Sequence, residues 1–341
     1  MEIAGREIGT HLPPYVVAEI GAGHVGTEGS ILELMRCAKE AGADAAKIQV
    51  YKPEDLTLDS DLPEYLIEGG LWRGKTLWEI YERGQIPEKL VPRLFEEARN
   101  MGIALFASAF STRVIPMLEG LGCPAYKVAS AEMNHTELLI GLARTGKPTI
   151  ISTGMGSLNE ARAAAILSSD CTPVNVAMLH CVAEYPCKPG DADLPRMKAM
   201  QRMFDPDLVG LSDHTLGNQT AVVAVALGAT IIEKHIAFAG TLDAGFGLRP
   251  WEFHGFVKAV KEAWDGCHTG PAWDGTPSKF RRSVRATANI VEGEILTEQN
   301  IAVLRPAGGA DPRHLALMLG GKARRAIARG EGLPFNAVEV E

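Results

Sequence analysis

Residues 208–235, LVGLSDHTLGNQTAVVAVALGATIIEKH, contain two short apolar runs with a helical stretch between them. The runs 208–212 and 230–234 have the length of buried strands. The stretch 219–227 has apolar residues at three- and four-residue spacing, which is typical of a helix. Because a strand, a helix and a second strand in this order build parallel sheets, we predict a β-α-β unit here.

The same alternation extends over the first 266 residues. Further apolar runs occur at 15–20, 45–49, 104–108, 125–129, 149–152 and 176–180. Helix-forming stretches lie between them, for example 31–41, 88–101 and 158–167. Eight strands that alternate with helices predict an α/β fold, a (β/α)8 TIM barrel with a closed parallel sheet. A doubly wound open sheet is the alternative.

The composition changes after residue 266. Residues 267–283 are rich in Gly, Pro, Trp and basic side chains and have no apolar period, which predicts a linker. Beyond it, 288–301 (ANIVEGEILTEQNI) and 326–338 (AIARGEGLPFNAV) share an apolar pair, a polar-Gly-Glu turn and another apolar run. We therefore predict a catalytic barrel over 1–266 and a small β-rich domain with an internal repeat over 284–341.

The bulk composition excludes several classes of partner. The chain has 341 residues, 46% of them hydrophobic, and a net charge of 34 − 42 = −8, so it lacks the basic surface that nucleic acids or anionic membranes require. No signal-peptide core or membrane-length apolar run is present, and we expect a cytoplasmic protein. The six cysteines lack CxxC spacing, which favours free thiols over disulfides or a zinc site.

In a (β/α)8 barrel the reacting groups lie at the C-terminal ends of the strands. Here those ends carry Glu19, Lys47, Gln49, Lys127, Ser130, Ser152, Thr153, His180, Ser212, Asp213, His214, Glu233 and His235. Any one of these side chains could belong to a structural ion pair at the rim. Because almost every strand ends in such a group, we predict an active site at this end of the barrel.

The types of side chain indicate the chemistry. His214 and His235 end neighbouring strands, so their imidazoles can converge on one divalent transition metal, although either could be a base or a packed residue. Lys47 and Lys127, with the hydroxyls of nearby serines, could hold a phosphate and a carboxylate. A lysine that forms a Schiff base, as in aldolases, is the alternative. The Gly-rich loop 152–156 could add backbone N–H donors.

Several motifs together resemble the sialic acid synthase family. They are AEIGAGHVG (18–26), AGADAAKIQVYKPEDL (41–56), AYKVASAE (125–132), ISTGM (151–155), LHCVAEYP (179–186), GLSDHTLG (210–217), ALGATIIEKH (226–235) and SVRATANIVEGEILTEQNIAVLRP (283–306). The last is similar to the antifreeze-like SAF domain, a β-clip. The resemblance covers nearly the whole chain. It implies a barrel followed by a SAF domain, in a domain-swapped homodimer whose SAF domains cover the partner's active site.

The resemblance also implies an activity and a set of residues. The reaction is a metal-dependent condensation of phosphoenolpyruvate with the open-chain aldehyde of an amino-hexose, which forms a nonulosonic acid and releases phosphate. The implied catalytic residues are Glu19, His214 and His235. The two histidines would bind the metal, Mn²⁺ in the first place with Mg²⁺ or Co²⁺ as alternatives, and Glu19 would contact the sugar near the reacting carbon and handle the proton there. The implied substrate-binding residues are Lys47, Gln49, Lys127, Ser130, Ser152, Tyr185, Ser212, Asp243 and Arg305.

Some segments depart from the pattern of neuraminate synthases. An asparagine is missing before His24, and Ala183 replaces a polar residue. The stretches 69–84 (GGLWRGKTLWEIYERG) and 242–253 (LDAGFGLRPWEF) resemble those of pseudaminic acid synthases, which favours a 2,4-diacetamido-trideoxyhexose over N-acetylmannosamine as acceptor. A synthase of another high-carbon sugar acid, a TIM-barrel aldolase and a non-catalytic carbohydrate-binding protein remain as alternatives.

Overall fold

The computed structural model describes residues 1–169, 175–270 and 279–340. Contacts between Cα atoms divide the chain into two units, residues 1–270 and 271–341. Much of the predicted linker, residues 271–278, lies outside the described residues.

Eight parallel strands close into a barrel in the first unit, after a short hairpin of β1 and β2. The strands are β1 Glu2–Ile3, β2 Arg6–Glu7, β3 Tyr15–Glu19, β4 Ala45–Val50, β5 Ala104–Ala109, β6 Tyr126–Val128, β7 Thr149–Ser152, β8 Val176–Cys181, β9 Val209–Asp213 and β10 Ile231–His235. Strands β3 to β10 pair in chain order, and β10 pairs with β3 to close the ring. The predicted (β/α)8 barrel is confirmed, and the open sheet is excluded.

Nine described helices accompany the strands of this unit. They are α1 Glu28–Glu40, α2 Leu77–Gly84, α3 Val91–Met101, α4 Ile115–Gly120, α5 Thr136–Ala143, α6 Leu158–Ser168, α7 Leu194–Met203, α8 Gln219–Ala226 and α9 Pro250–His268. Ser157 caps α6, because its hydroxyl accepts from the N–H of Glu160 while the Glu160 carboxylate accepts from the N–H of Ser157. The helical stretch predicted over 88–101 is confirmed, with a first 3₁₀ turn at Glu88–Leu90 that leads directly into α3, where Pro92 occupies the first turn.

The pairing of β9 with β10 fixes the register of the two histidine-bearing strands. Leu211, Ser212 and Asp213 lie opposite Ile232, Glu233 and Lys234 in that order. Gly210 permits this close pairing, because a Cβ there would lie 2.2 Å from the backbone oxygen of Ile231.

Side chains along β9 and β10 alternate between the barrel interior and the helix layer. Ser212 and Glu233 meet inside, where the Ser212 hydroxyl donates to Glu233 Oε1 at 3.2 Å. Asp213 and Lys234 meet outside in a fully buried ion pair at 2.8 Å, with the Lys234 ammonium 5.7 Å from the ring centre of Phe256 on α9. We call this pair the outer ion pair.

The second unit is small, β-rich and has its own apolar core. It contains antiparallel pairs of β11 Ser283–Ala286 with β12 Ile301–Leu304 and of β13 Lys322–Ala323 with β14 Val338–Glu339, and a four-residue helix α10 Leu315–Met318. Its core includes Val284, Ile290, Leu296, Ile301, Met318, Ile327 and Leu333.

The predicted internal repeat of this unit is confirmed by two matching turns. Gly293 and Gly330 both have a positive φ, 80° and 86°. The following carboxylates, Glu294 and Glu331, each accept a hydrogen bond from the backbone N–H three residues earlier, at 2.8 Å and 3.1 Å. The two copies face each other through an antiparallel bridge between Ile290 and Ile327.

The described part of the chain has free cysteines and no helix that could span a membrane. Cys37, Cys123, Cys181, Cys187 and Cys267 are free thiols, and Cys171 lies outside the described residues. Within the described part of the chain, no helix has both the length and the apolar character needed to cross a membrane.

Candidate active site

The predicted strand-end residues gather at the C-terminal end of the barrel in two sets. One set lines a cavity of about 760 Å³ and consists of Gln49, Ser130, Tyr185, His235 and Asp243. The other set is buried and consists of Glu19, Lys47, Lys127, Ser152, Ser212, His214 and Glu233. Barrel topology therefore brings these residues together. Three other predicted strand-end residues have partners elsewhere: Asp213 belongs to the outer ion pair, His180 Nε2 lies 2.7 Å from the backbone oxygen of Ala192, and the Thr153 hydroxyl donates to the backbone oxygen of Leu179 at 3.1 Å.

Lys47 is the centre of a buried charge cluster. Its ammonium lies 2.5 Å from Glu19 Oε2, 3.6 Å from Glu233 Oε1 and 3.0 Å from the hydroxyl of Ser108. Burial opposes the charge of Lys47, but the two carboxylates raise its pKa above the ordinary value. Burial likewise opposes ionisation of Glu233, yet Lys47 and Lys127 hold the pKa of that carboxyl well below its usual range. Lys47 and Glu233 are therefore both charged at neutral pH.

Lys127 has a different set of partners. Its ammonium donates to the hydroxyl of Ser152 at 2.6 Å and to the backbone oxygen of Val128 at 2.9 Å. Burial lowers the pKa of Lys127, and the charge of Glu233 opposes that shift. Among the described residues, no carboxylate lies within ion-pair distance of Lys127, whereas Lys47 has two such partners. The ammonium group of Lys127 is therefore more available to an anionic ligand than that of Lys47.

Ser130 and the Gly-rich loop lie together at the cavity wall. The Ser130 hydroxyl oxygen accepts from the backbone N–H of Gly154 at 2.9 Å, and the hydroxyl also forms a hydrogen bond with Cys181. The space at Gly154 is tight, since a Cβ at that position would lie 3.1 Å from both Cys181 Sγ and Ser130 Oγ. This arrangement offers hydroxyl and backbone donors to a phosphate or carboxylate.

His214 and His235 approach each other across the β9–β10 pair, with ring centres 5.5 Å apart. Nδ1 of His214 is 2.8 Å from the backbone oxygen of Val182, and Nδ1 of His235 is 2.9 Å from Asp243 Oδ2. These bonds fix each ring so that Nε2 remains available as a ligand atom, the usual arrangement around protein-bound metals. The pair fits a divalent transition metal whose other ligands come from water or substrate. No third metal-binding side chain completes the group in the described residues.

Aromatic rings surround this histidine pair. Tyr185 lies over His214, with ring centres 4.2 Å apart, and Phe246 lies 4.8 Å from both Tyr185 and His235. Sequence analysis gave no role to Cys181, yet its thiol is 3.7 Å from His214 Nδ1. Aromatic rings and a thiol therefore border the two imidazoles.

The Asp243 carboxylate forms a hydrogen bond with the imidazole of His235. Its Oδ2 accepts both from the His235 ring and from the backbone N–H of Ala22, at 2.9 Å and 3.0 Å. The resemblance assigned Asp243 to substrate binding, and its place in the cavity lining agrees with that assignment. Its observed bonds add a second role, which is to orient the imidazole.

Glu132 is a site residue that the sequence analysis missed. It lines the cavity on the 3₁₀ turn after β6, and its buried Oε2 atom has no hydrogen-bond partner among the described residues. Burial raises its pKa to about 7. The signal in the sequence was the acidic residue that ends AYKVASAE, two positions after Ser130. A carboxyl group with this pKa can exchange protons at neutral pH.

Three other positions singled out in the sequence, His24, Ala183 and Arg305, differ in their surroundings. His24 is buried, its Nδ1 accepts from the Gly26 N–H at 2.8 Å, and burial lowers its pKa, so it is a neutral packed residue. Ala183 lines the cavity. Arg305 is exposed on the second unit.

The fold and the site define a (β/α)8-barrel enzyme with buried lysines beside a pair of histidines whose Nε2 atoms could hold a metal. The NeuB family profile matches residues 34–270, and the SAF domain profile matches residues 281–339. The chain belongs to the NeuB family.

Named relatives support this assignment over nearly the full length. The pseudaminic acid synthase of Campylobacter jejuni strain 81-176 is 37% identical over 94% of this chain and 95% of that protein. The pseudaminic acid synthase of Helicobacter pylori is 34% identical over 96% of this chain and 98% of that protein. The crystal structure of the spore coat polysaccharide biosynthesis protein SpsE of Bacillus subtilis has a TM-score of 0.67 and 27% identity, over 100% and 99% of the two chains.

Proposed function

We propose that the protein condenses phosphoenolpyruvate with the open-chain aldehyde of a 2,4-diacetamido-trideoxyhexose to form a nonulosonic acid and phosphate. The observation that carries the proposal is the gathering of Lys47, Lys127 and three serine hydroxyls with a histidine pair in one barrel mouth. The pseudaminic acid synthases among the relatives favour this acceptor.

The lysines and serines would bind phosphoenolpyruvate. Lys127 and Lys47 balance its negative charge, and the hydroxyls of Ser130, Ser152 and Ser212 donate to its phosphate and carboxylate oxygens. Glu19 keeps Lys47 charged and orients Gln49, whose amide donates to Glu19 Oε1 at 2.7 Å. A divalent metal held by His214 and His235, preferably Mn²⁺, would supply Lewis-acid polarisation of the sugar aldehyde.

Bond changes in the proposed reaction balance as follows. The electron pair of the C2=C3 bond of phosphoenolpyruvate forms the bond from C3 to the aldehyde carbon, which leaves C2 electron-deficient and a negative charge on the aldehyde oxygen. A water oxygen adds to C2, the Glu132 carboxylate accepts the first proton that this water loses, and that proton converts the aldehyde oxygen into a hydroxyl group. The bond from C2 to the phosphate oxygen then breaks, the remaining C2 hydroxyl becomes the carbonyl, and phosphate leaves with the bonding electrons and the hydroxyl proton.

A phosphate-release assay tests the function. With phosphoenolpyruvate, Mn²⁺ and a panel of acetamido-hexoses, we expect one equivalent of phosphate per nonulosonic acid formed with the diacetamido-trideoxyhexose. Treatment with EDTA should abolish release, and added Mn²⁺ should restore it. Phosphate release that EDTA leaves unchanged would contradict the metal requirement. Use of pyruvate without phosphate release would instead identify an aldolase.

Glu132 predicts the pH dependence of turnover. Its pKa of about 7 means that the base form prevails only above neutrality, so kcat should rise as the pH increases through about 7. In the Glu132→Gln variant this inflection should disappear and kcat should fall by about 10²-fold or more. An unchanged pH–rate profile in that variant would contradict the assignment.

A stability measurement on the same variant is independent of activity. Because the folded pKa of Glu132 lies above the ordinary value near 4.5, the folded state binds this proton more tightly than the unfolded chain. The stabilisation is present below about pH 4.5 and is lost as the pH rises toward 7. Glu132→Gln should therefore raise the Tm relative to wild type more at pH 8 than at pH 5.

We also propose the homodimer that the resemblance implies, in which Arg305 of one protomer serves the active site of the other. Mixing an Arg305→Ala variant with a His235→Ala variant tests it. Recovery of phosphate release in the mixture would support the shared site, and its absence, with dimers present, would contradict it.

A further inference from the structure

A hairpin-like segment, residues 66–76, forms part of the cavity wall. The backbone N–H of Ile67 donates to the oxygen of Lys75 at 2.9 Å, and a bridge joins the two ends of the segment. A 3₁₀ turn at its tip brings Leu71 and Trp72 into the cavity lining. We call this segment the tip hairpin.

The tip hairpin packs against the segment that follows β10. The indole of Trp72 lies 5.9 Å from the ring centre of Tyr185 and 6.3 Å from that of Phe246. Leu71 lies so close to Gly245 that a Cβ there would come within 2.7 Å of Leu71 Cδ1. These contacts place Trp72 beside Tyr185, whose ring in turn lies over that of His214.

The cavity wall on this side is apolar. Leu71 remains 49% exposed although it is a large apolar side chain, so it offers surface to a ligand. Other apolar side chains in the same lining are Leu56, Ile67, Leu77, Ile80, Phe110, Leu242 and Phe246. Such a surface gains free energy from contact with methyl groups.

The charges in the lining have one sign. Glu132, Glu184 and Asp243 are acidic, and the described lining contains no lysine or arginine. A phosphate group on the acceptor sugar would meet no lysine or arginine of this lining, whereas the buried lysines lie on the phosphoenolpyruvate side. The lining therefore suits an uncharged acceptor that carries methyl groups.

We propose that Trp72, supported by Leu71, is the specificity-determining residue for the acceptor, because its indole contacts the methyl group at the 6-deoxy carbon of an unphosphorylated sugar. This inference rests on the proposed function and deepens it. An apolar pocket discriminates one methylene-sized change by about 10- to 200-fold. Selectivity between a 6-deoxy acceptor and its 6-hydroxy counterpart should therefore depend on Trp72.

The experiment compares kcat/KM for these two acceptors in the wild type and in Trp72→Ala and Trp72→Phe. We expect the wild type to prefer the deoxy sugar, and Trp72→Ala to reduce that ratio by about tenfold, chiefly through the KM of the acceptor. The KM of phosphoenolpyruvate should stay unchanged, and Trp72→Phe should retain most of the ratio. Trp251→Ala is the matched control, since that indole is 75% exposed on α9 and lies outside the cavity lining.

The outcomes separate the two proposals. Phosphate release by the wild type with an unchanged acceptor ratio in Trp72→Ala would overturn the role of Trp72 alone. A wild-type preference for a phosphorylated or 6-hydroxy sugar would overturn it too. Absence of phosphate release from the wild type with every acceptor would overturn the proposed function and this inference together.

Discussion

Replacement of His235 by alanine is expected to lower kcat by at least about 10³-fold in the presence of Mn²⁺, with the fold retained. The imidazole is fixed by Asp243 at 2.9 Å and lies beside His214, so its loss removes one of the two protein ligands proposed for the metal. The barrel strand itself keeps its backbone pairing. Turnover is measured by phosphate release, and bound Mn²⁺ by electron paramagnetic resonance.

His254→Ala is the matched control for this variant. His254 is exposed on α9 and lies outside the cavity lining, so its removal should leave both kcat and Mn²⁺ binding unchanged. Circular dichroism should give the same spectrum for both variants and the wild type. Wild-type Mn²⁺ affinity in His235→Ala would sink the proposed metal site, whatever happens to the activity.

Lys47→Met should have the largest effect on stability, a loss of about 3–5 kcal/mol in the free energy of unfolding. The ammonium lies 2.5 Å from Glu19 and 3.6 Å from Glu233, and both carboxylates are almost fully buried. Its removal leaves two buried negative charges with only Lys127 to offset them. Urea unfolding at pH 7, followed by circular dichroism, measures the loss.

Two further variants test the electrostatic reason for that loss. Lys47→Met combined with Glu19→Gln should recover part of the stability, since one of the stranded charges is then removed. Lys258→Met is the control, because Lys258 forms only an exposed i,i+4 pair with Glu262, and its loss should cost about 0.5 kcal/mol or less. Equal unfolding free energies for Lys47→Met and Lys258→Met would refute the buried cluster as a source of stability.

The barrel was predictable from sequence because its signals are local. Each strand is a short buried run and several helices have apolar spacing and recognisable ends, such as Ser157 before α6. Predicted strand bounds differ from the observed ones by one residue or less at each end. Barrel geometry then places strand-end residues such as Lys47, Lys127 and His235 at one mouth without knowledge of any side-chain contact.

The parts that escaped prediction depend on contacts between distant segments. Glu132 follows β6 on a 3₁₀ turn, and its raised pKa results from burial that the sequence does not display. The bond between Asp243 and His235 requires the 3₁₀ turn after β10 to fold back over the strand end. Trp72 lies in an irregular segment without periodicity, so only the folded chain shows that it faces the cavity.

The outer ion pair also affects which parts of this enzyme can accept substitutions during evolution. A shift of β10 against β9 by one residue would turn Lys234 inward and its neighbours Glu233 and His235 outward. The outer ion pair penalises that shift, because it would leave Asp213 without a partner on the helix side and place the charge of Lys234 inside the barrel. The acceptor wall can therefore accumulate substitutions and drift toward new sugars, while the strand pair that carries His214 and His235 keeps a single alignment.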